Sequence, residues 1–97
     1  PGAGVVIGPG EVPRLPRGVR VQPDRVRGGW VLLAPERAVT LDAVGQAILA
    51  EVDGSRSFGE ICARLAAAFG APEAQIAEDA GGFLSALRER LFLEVSP

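Results

Sequence analysis

At Leu41-Asp42 the apolar pattern of this chain changes period, and that change limits the folds open to it. Before it the pattern is that of short strands. Val19-Arg20-Val21-Gln22 alternates with period two, the mark of a half-buried strand. Pro23-Asp24 supplies turn chemistry and Gly28-Gly29 a further turn. Trp30-Val31-Leu32-Leu33-Ala34 is a continuous apolar run, too short for a helix and suited to a strand covered on both faces. Pro35-Glu36-Arg37 is a tight connection, and Ala38-Val39-Thr40-Leu41 is the returning strand of a hairpin.

After the change the spacing is helical. Asp42 is the N-cap of a helix with Val44, Ala47, Ile48 and Val52 on one face, and Gly54 follows its end. Ser57-Phe58-Gly59-Glu60 has capping-box spacing. The helix it opens carries Phe58, Ile61, Cys62, Leu65 and Phe69 on its apolar face and stops at Gly70. Pro72 suits the first turn of a third helix with Ile76, Ala80, Phe83, Leu84, Leu87 and Leu91 at three- and four-residue steps. Its carboxylates lie near the start (Glu73, Glu78, Asp79) and its arginines near the end (Arg88, Arg90), which suits the helix dipole. The expected fold is α+β and winged-helix-like, three short antiparallel strands followed by a three-helix bundle.

Residues 1–16 hold four Gly and four Pro and read as a flexible linker or tail, which leaves residues 17–97 as the domain. The chain opens Pro1-Gly2-Ala3-Gly4 without an initiator Met, so the domain is expected to be excised from something longer.

The inventory excludes most chemistry. The chain has no His, Lys, Tyr or Met and one Cys, so no catalytic triad, histidine base, Schiff-base lysine or zinc site can be assembled. We therefore expect no catalytic residue, no metal and no cofactor. The lone Cys rules out an internal disulfide and points to a reducing cytoplasm. Neither a membrane-spanning run nor a signal segment is present. Cys62 shares a face with Leu65 and Phe69 and reads as a core thiol. Glu78-Asp79 diverge by about 100° on a helix and read as solvated charges. Gly81-Gly82 lie mid-helix, where two glycines cost about 2 kcal/mol against Ala; either close packing within the fold or a ligand-facing groove accounts for them.

All ten basic residues are Arg, unevenly placed: residues 1–37 carry a net +3 and residues 38–97 a net −5. Neither block is dense enough for a polybasic or acidic tail. A winged helix that reads DNA inserts the start of its recognition helix into the major groove. Here that segment, Pro72 to Asp79, carries three carboxylates and no basic residue, so nucleic acid is not expected as a partner.

What remains is the sheet edge. The Ala38–Leu41 strand has no internal charge to guard it. At an edge it accepts an extended peptide as an added strand, with an apolar groove beside the third helix selecting side chains. Alternatively, the domain's own helices cover it; periodicity does not separate the two. A proline at Val39 weakens peptide binding if that N–H faces the open edge. Trp30 is either a core and strand-capping residue or part of an interface.

The run Leu32-Leu33-Ala34-Pro35-Glu36-Arg37-Ala38-Val39-Thr40-Leu41-Asp42 leads into Ala47-Ile48-Leu49 and Asp53-Gly54. It continues to Glu60-Ile61, Leu65, Asp79, Phe83-Leu84, Leu87 and Arg90. This pattern resembles the PqqD family, peptide chaperones of pyrroloquinoline quinone (PQQ) biosynthesis, over about residues 17–95. More loosely it is similar to recognition domains of other pathways for ribosomally made, modified peptides (RiPPs). The resemblance implies a non-enzymatic domain that binds the precursor peptide PqqA and presents it to the radical SAM enzyme PqqE. In some members the domain is fused behind PqqC, which would account for the missing initiator. It also implies a peptide-binding site with Val39, Thr40 and Leu41 on the strand side and Ile76, Asp79, Ala80, Phe83, Leu84 and Leu87 on the helix side. The chain departs from the family at Ala80, where Val is favoured and a wider groove is expected. It departs again at Leu91, where Gly is usual and a longer last helix is expected. The alternative readings are a recognition domain of another modified-peptide pathway and a winged-helix regulator.

Overall fold

The computed structural model describes residues 7–97. Its elements run β1 (Val12–Arg14), β2 (Arg20–Pro23), β3 (Trp30–Ala34), β4 (Arg37–Leu41), α1 (Ala43–Ala50), α2 (Phe58–Phe69), α3 (Glu73–Glu89) and β5 (Glu94–Ser96). The expected hairpin strands and three helices are present, so the class is α+β as read, and the winged helix is a loose analogy for it. Among the described residues no helix is long and apolar enough to cross a membrane.

β2, β3 and β4 form an antiparallel sheet in that order, with Leu32 opposite Val21 on one side and Val39 on the other. This row and Leu41 face the helices, and Leu32 is fully buried. α2 and α3 close the core with Phe58, Ile61, Leu65, Ala80, Leu84 and Leu87. β3 was expected to be covered on both faces. Its other face, Val31 and Leu33, is only half-buried, because all three helices follow the sheet in sequence and pack on one side of it.

The caps form as the spacing requires. Asp42 accepts a hydrogen bond from the Gly45 N–H at 2.7 Å. Ser57 and Glu60 exchange both capping-box bonds, and Gly70 closes α2 in the left-handed conformation. α3 runs unbroken through Gly81-Gly82. A Cβ on Gly81 would stand 3.4 Å from the Phe58 ring, while one on Gly82 would meet nothing within 4 Å. Neither position is so crowded that packing within the fold requires glycine there.

The N-terminal stretch departs from the expected linker. Residues 1–6 lie outside the described residues, but Ile7 and Pro13 are buried, and β1 pairs with β5 in a separate two-stranded sheet. Arg14 and Glu94, opposite each other in it, form an ion pair at 2.9 Å. The first N–H groups of a helix lack intrahelical acceptors. Here the Phe58 and Gly59 N–H groups donate to the carbonyls of Glu11 and Pro9 at 2.7 and 2.9 Å. A Cβ on Gly59 would sit 3.1 Å from the Pro9 oxygen, so the close approach depends on this glycine. Prolines and glycines exclude a helix from this arm, not a fixed extended path.

Leu91 does not lengthen α3. The helix ends at Glu89, and Leu91 takes φ +66°. The Phe92 N–H donates to the Leu87 carbonyl and the Leu91 N–H to the Arg88 carbonyl, the paired bonds of a Schellman cap. Leu91 therefore occupies the position glycine prefers, with its side chain 76% exposed. A left-handed non-glycine residue costs about 1–2 kcal/mol, partly offset by glycine's greater unfolded-state entropy. Leu91→Gly should stabilise the fold by up to about 1 kcal/mol, read as a higher urea midpoint with unchanged slope.

Candidate functional site

β4 is an edge strand: β3 pairs with one side of it and no described strand pairs with the other. The hairpin turn is the two residues Pro35-Glu36, with Ala34 opposite Arg37. A two-residue turn has a hydrogen-bonded pair at its mouth, and antiparallel pairs then alternate. Val39 and Leu41 consequently bond inward to β3, while Ala38 and Thr40 aim both N–H and C=O at the open edge. No described main-chain bond from outside the sheet reaches either residue. This changes the expectation for a proline at Val39, whose N–H belongs to the hairpin ladder.

The C-terminal end of α3 is tied to the start of β4, and its middle to α1. At the start of β4, Arg37 Nη1 donates to the Arg90 carbonyl at 2.7 Å. The Arg37 guanidinium stands 4.2 Å from the centroid of the buried Phe92 ring, and that of Arg90 stands 5.2 Å from it. These cation–π contacts hold the end of α3 against the hairpin. Beyond β4, the Phe83 ring packs where a Cβ on Gly45 would be, 3.1 Å from its Cζ. Gly45 thus lets α1 close onto the middle of α3. Sequence reasoning left Gly45 and Phe92 out of the site. The only signals for them were a glycine inside a short helix and an aromatic residue just past another.

The nine residues singled out from the resemblance divide by burial. Thr40 and Asp79 are exposed, while Val39, Ile76 and Phe83 are half-buried and packed against the core. Leu41, Ala80, Leu84 and Leu87 are buried in the core. Asp79 accepts hydrogen bonds from Gln75 Nε2 at 3.1 and 3.2 Å. Near it, Val44, Phe69 and Ile76 help line an apolar hollow of about 180 Å³ between α1, α2 and α3. Val44 and Phe69 are each more than half exposed there. Ala80 also lines this hollow, which is where its small side chain leaves room.

Trp30 is 37% exposed and sits opposite Leu41, one strand in from the open edge. Cys62 is buried on α2, and desolvation first, then the charge of Glu73, raises its thiol above the ordinary value. A thiol kept protonated and shielded is a poor nucleophile. In the native protein Cys62 should be unreactive toward a chromogenic disulfide reagent and should react fully in denaturant, as absorbance of the released thiolate will show.

A family model described as "Coenzyme PQQ synthesis protein D (PqqD)" matches residues 29–93. The chain belongs to the PqqD family. A relative in Rhizobium meliloti (strain 1021), named PqqA binding protein, is 46% identical to it over 90 residues, covering 93% of this chain and 92% of the relative. One of the same name in Gluconobacter oxydans (strain 621H) is 44% identical over 85 residues, covering 88% of each. Among solved PqqD structures, the PqqD truncation of Methylobacterium extorquens PqqCD is described as a functional, stand-alone RiPP recognition element. It matches at TM-score 0.80 and 40% identity, over 93% of this chain and 96% of that one. The crystal structure of PqqD from Xanthomonas campestris matches at TM-score 0.53 and 42% identity, over 79% and 87%. Sequence likeness is therefore similar for the two, and superposition much closer for the first.

Proposed function

We propose that this PqqD-family chain is a non-catalytic peptide chaperone acting in the cytoplasm. It binds the precursor peptide PqqA and presents it to the radical SAM enzyme PqqE in PQQ biosynthesis. The observation that carries this reading is the open edge of β4, in a chain whose relatives are named PqqA binding protein. PqqA adds to the sheet as a further strand, bonded to the outward groups of Ala38 and Thr40.

Backbone pairing alone is not enough. Two outward residues offer four hydrogen bonds, worth about 2–6 kcal/mol at the usual net value for each. Micromolar binding needs about 8.2 kcal/mol after the cost of ordering the peptide. The balance comes from apolar side chains on Val39, Ile76 and Phe83 and in the hollow beside Asp79. Leu41, Ala80, Leu84 and Leu87 keep that wall in place. Backbone bonds make the site a strand acceptor; the wall makes it selective.

The test is a titration of isotope-labelled domain with PqqA. Amide shifts should concentrate at residues 38–42 and 76–88, and Trp30 emission should change as the new strand forms beside its hairpin. No shift at saturating peptide would sink the proposal. Shifts instead with duplex DNA, weakening steeply as salt rises, would favour a regulator.

A further inference from the structure

The helices cover one face of the three-stranded sheet and leave the other open. On that outer face Arg20, Leu33 and Ala38 form one cross-strand row, and Gln22, Val31 and Thr40 the next. Val31 and Leu33 are its apolar centre. The loop after β2 arches beside them, with Arg25 and Val26 helping to line an open hollow of about 580 Å³. Val26 is 94% exposed, an unusual position for a valine that no part of the described fold contacts closely.

Among the described residues Arg20, Arg25 and Arg27, on and beside this face, have no ion pair, as is also true of Arg17, Arg37, Arg88 and Arg90; the ion pairs all lie elsewhere. Arg14 pairs with Glu94, Arg56 with Glu51 and Asp53, and Arg64 with Glu51. Arg20 only donates to Gln22, at 3.1 Å along its own strand. The one acid nearby, Asp24, accepts the Val26 and Arg27 N–H groups at 3.0 and 3.1 Å and is occupied in shaping the loop.

We propose that this outer face is a docking surface for an acidic, aliphatic segment of the protein that receives the bound peptide. Arg20 and Arg25 meet its carboxylates, and Val31, Leu33 and Val26 take its apolar side chains. A protein fits better than a nucleic acid, because the centre of the face is aliphatic and three spaced arginines make a poor phosphate track. The inference rests on the peptide-binding reading, and it adds a coupling between the two events. Adjacent strands lie about 4.8 Å apart, so a strand added to β4 lies about 10 Å from β3 on the same sheet. A partner seated over Val31 and Leu33 then touches the outward side chains of the peptide as well. The loaded domain therefore presents a larger surface than the free one.

The experiment compares the parent chain with Arg20→Glu/Arg25→Glu and with the milder Arg20→Gln/Arg25→Gln, using PqqA and PqqE as probes. All four substitutions are at exposed positions, and unchanged melting curves will show that the variants fold. Binding of PqqA should stay within about twofold of the parent. Binding of PqqE to the loaded domain should fall at least tenfold in the charge reversal and less in the neutral variant. Its salt dependence should flatten, because the screened attraction is gone. Parent-like affinity for PqqE in the reversal overturns the proposal. A parent that binds PqqA but not PqqE overturns it too. Tight binding of a single-stranded RNA 12-mer, lost in the reversal, overturns it in favour of nucleic acid. If the parent fails to bind PqqA, the peptide-binding reading falls instead, and the docking surface is judged on PqqE binding to the unloaded domain.

Discussion

Thr40→Pro should leave the domain folded and reduce its affinity for PqqA at least tenfold, about 1.4 kcal/mol. The Thr40 N–H points away from β3, so proline there removes no bond of the hairpin, and edge strands tolerate it. What it removes is a donor to the incoming strand, and the ring occupies the place where that strand's carbonyl must approach. The same substitution at Val39 acts differently. The Val39 N–H belongs to the pair with Leu32, so proline there breaks the ladder and lowers the melting temperature. Titrating Trp30 emission with PqqA, alongside a thermal melt, separates the two effects. Full-strength binding by a folded Thr40→Pro chain would mean that the peptide does not enter as a strand on β4.

Phe92→Ala should destabilise the domain by about 3–5 kcal/mol, the usual cost of emptying a fully buried aromatic site. Phe92 has no exposed surface. Its N–H closes the cap of α3, and its ring lies beside the guanidinium groups of Arg37 and Arg90. Losing the ring therefore loosens three things together: the end of α3, the start of β4 and the approach to β5. A small domain is stable by about 5–15 kcal/mol, so this one substitution takes a large share. Urea unfolding should show the loss directly. Peptide affinity should fall with it, because Arg37, at the start of the strand proposed to receive the peptide, rests on this ring and on the end of α3. A midpoint within 1 kcal/mol of the parent would show that Phe92 does not secure this joint. Leu91→Gly, one residue away, should act in the opposite direction. The pair thus tests whether the helix end or the ring bears the load.

The elements that were legible in the sequence are those written in short-range signals. Period-two alternation marked β2, the turn residues at 35–36 marked the β3–β4 hairpin, and Asp42 and Ser57 marked the starts of α1 and α2. Each depends on atoms within a few residues of one another, so one stretch of chain carries the whole signal. The family pattern at residues 32–42 likewise covers β3, the hairpin turn and β4.

Tertiary structure decided the rest, because the deciding neighbours are far away in the chain. β1 exists because residues 12–14 meet residues 94–96, and the arm before it is held by the unsatisfied N–H groups of α2. Local composition there showed only that a helix is excluded. Leu91 looked like helix continuation, but the burial of Phe92 turns the chain at that point and forces a left-handed residue. Of the six helix residues attributed to the peptide wall, Asp79 is exposed and Ile76 and Phe83 are half-buried, while Ala80, Leu84 and Leu87 are buried. Spacing places all six on one stripe and does not show how deep the neighbouring layers sit over it. The sequence by itself determined that this chain has no His or Lys and one Cys to work with, and that a short strand is followed by apolar helix faces. Which backbone groups of that strand stand free was settled only by the sheet order and the hairpin register, since an open edge is defined by what does not pack against it.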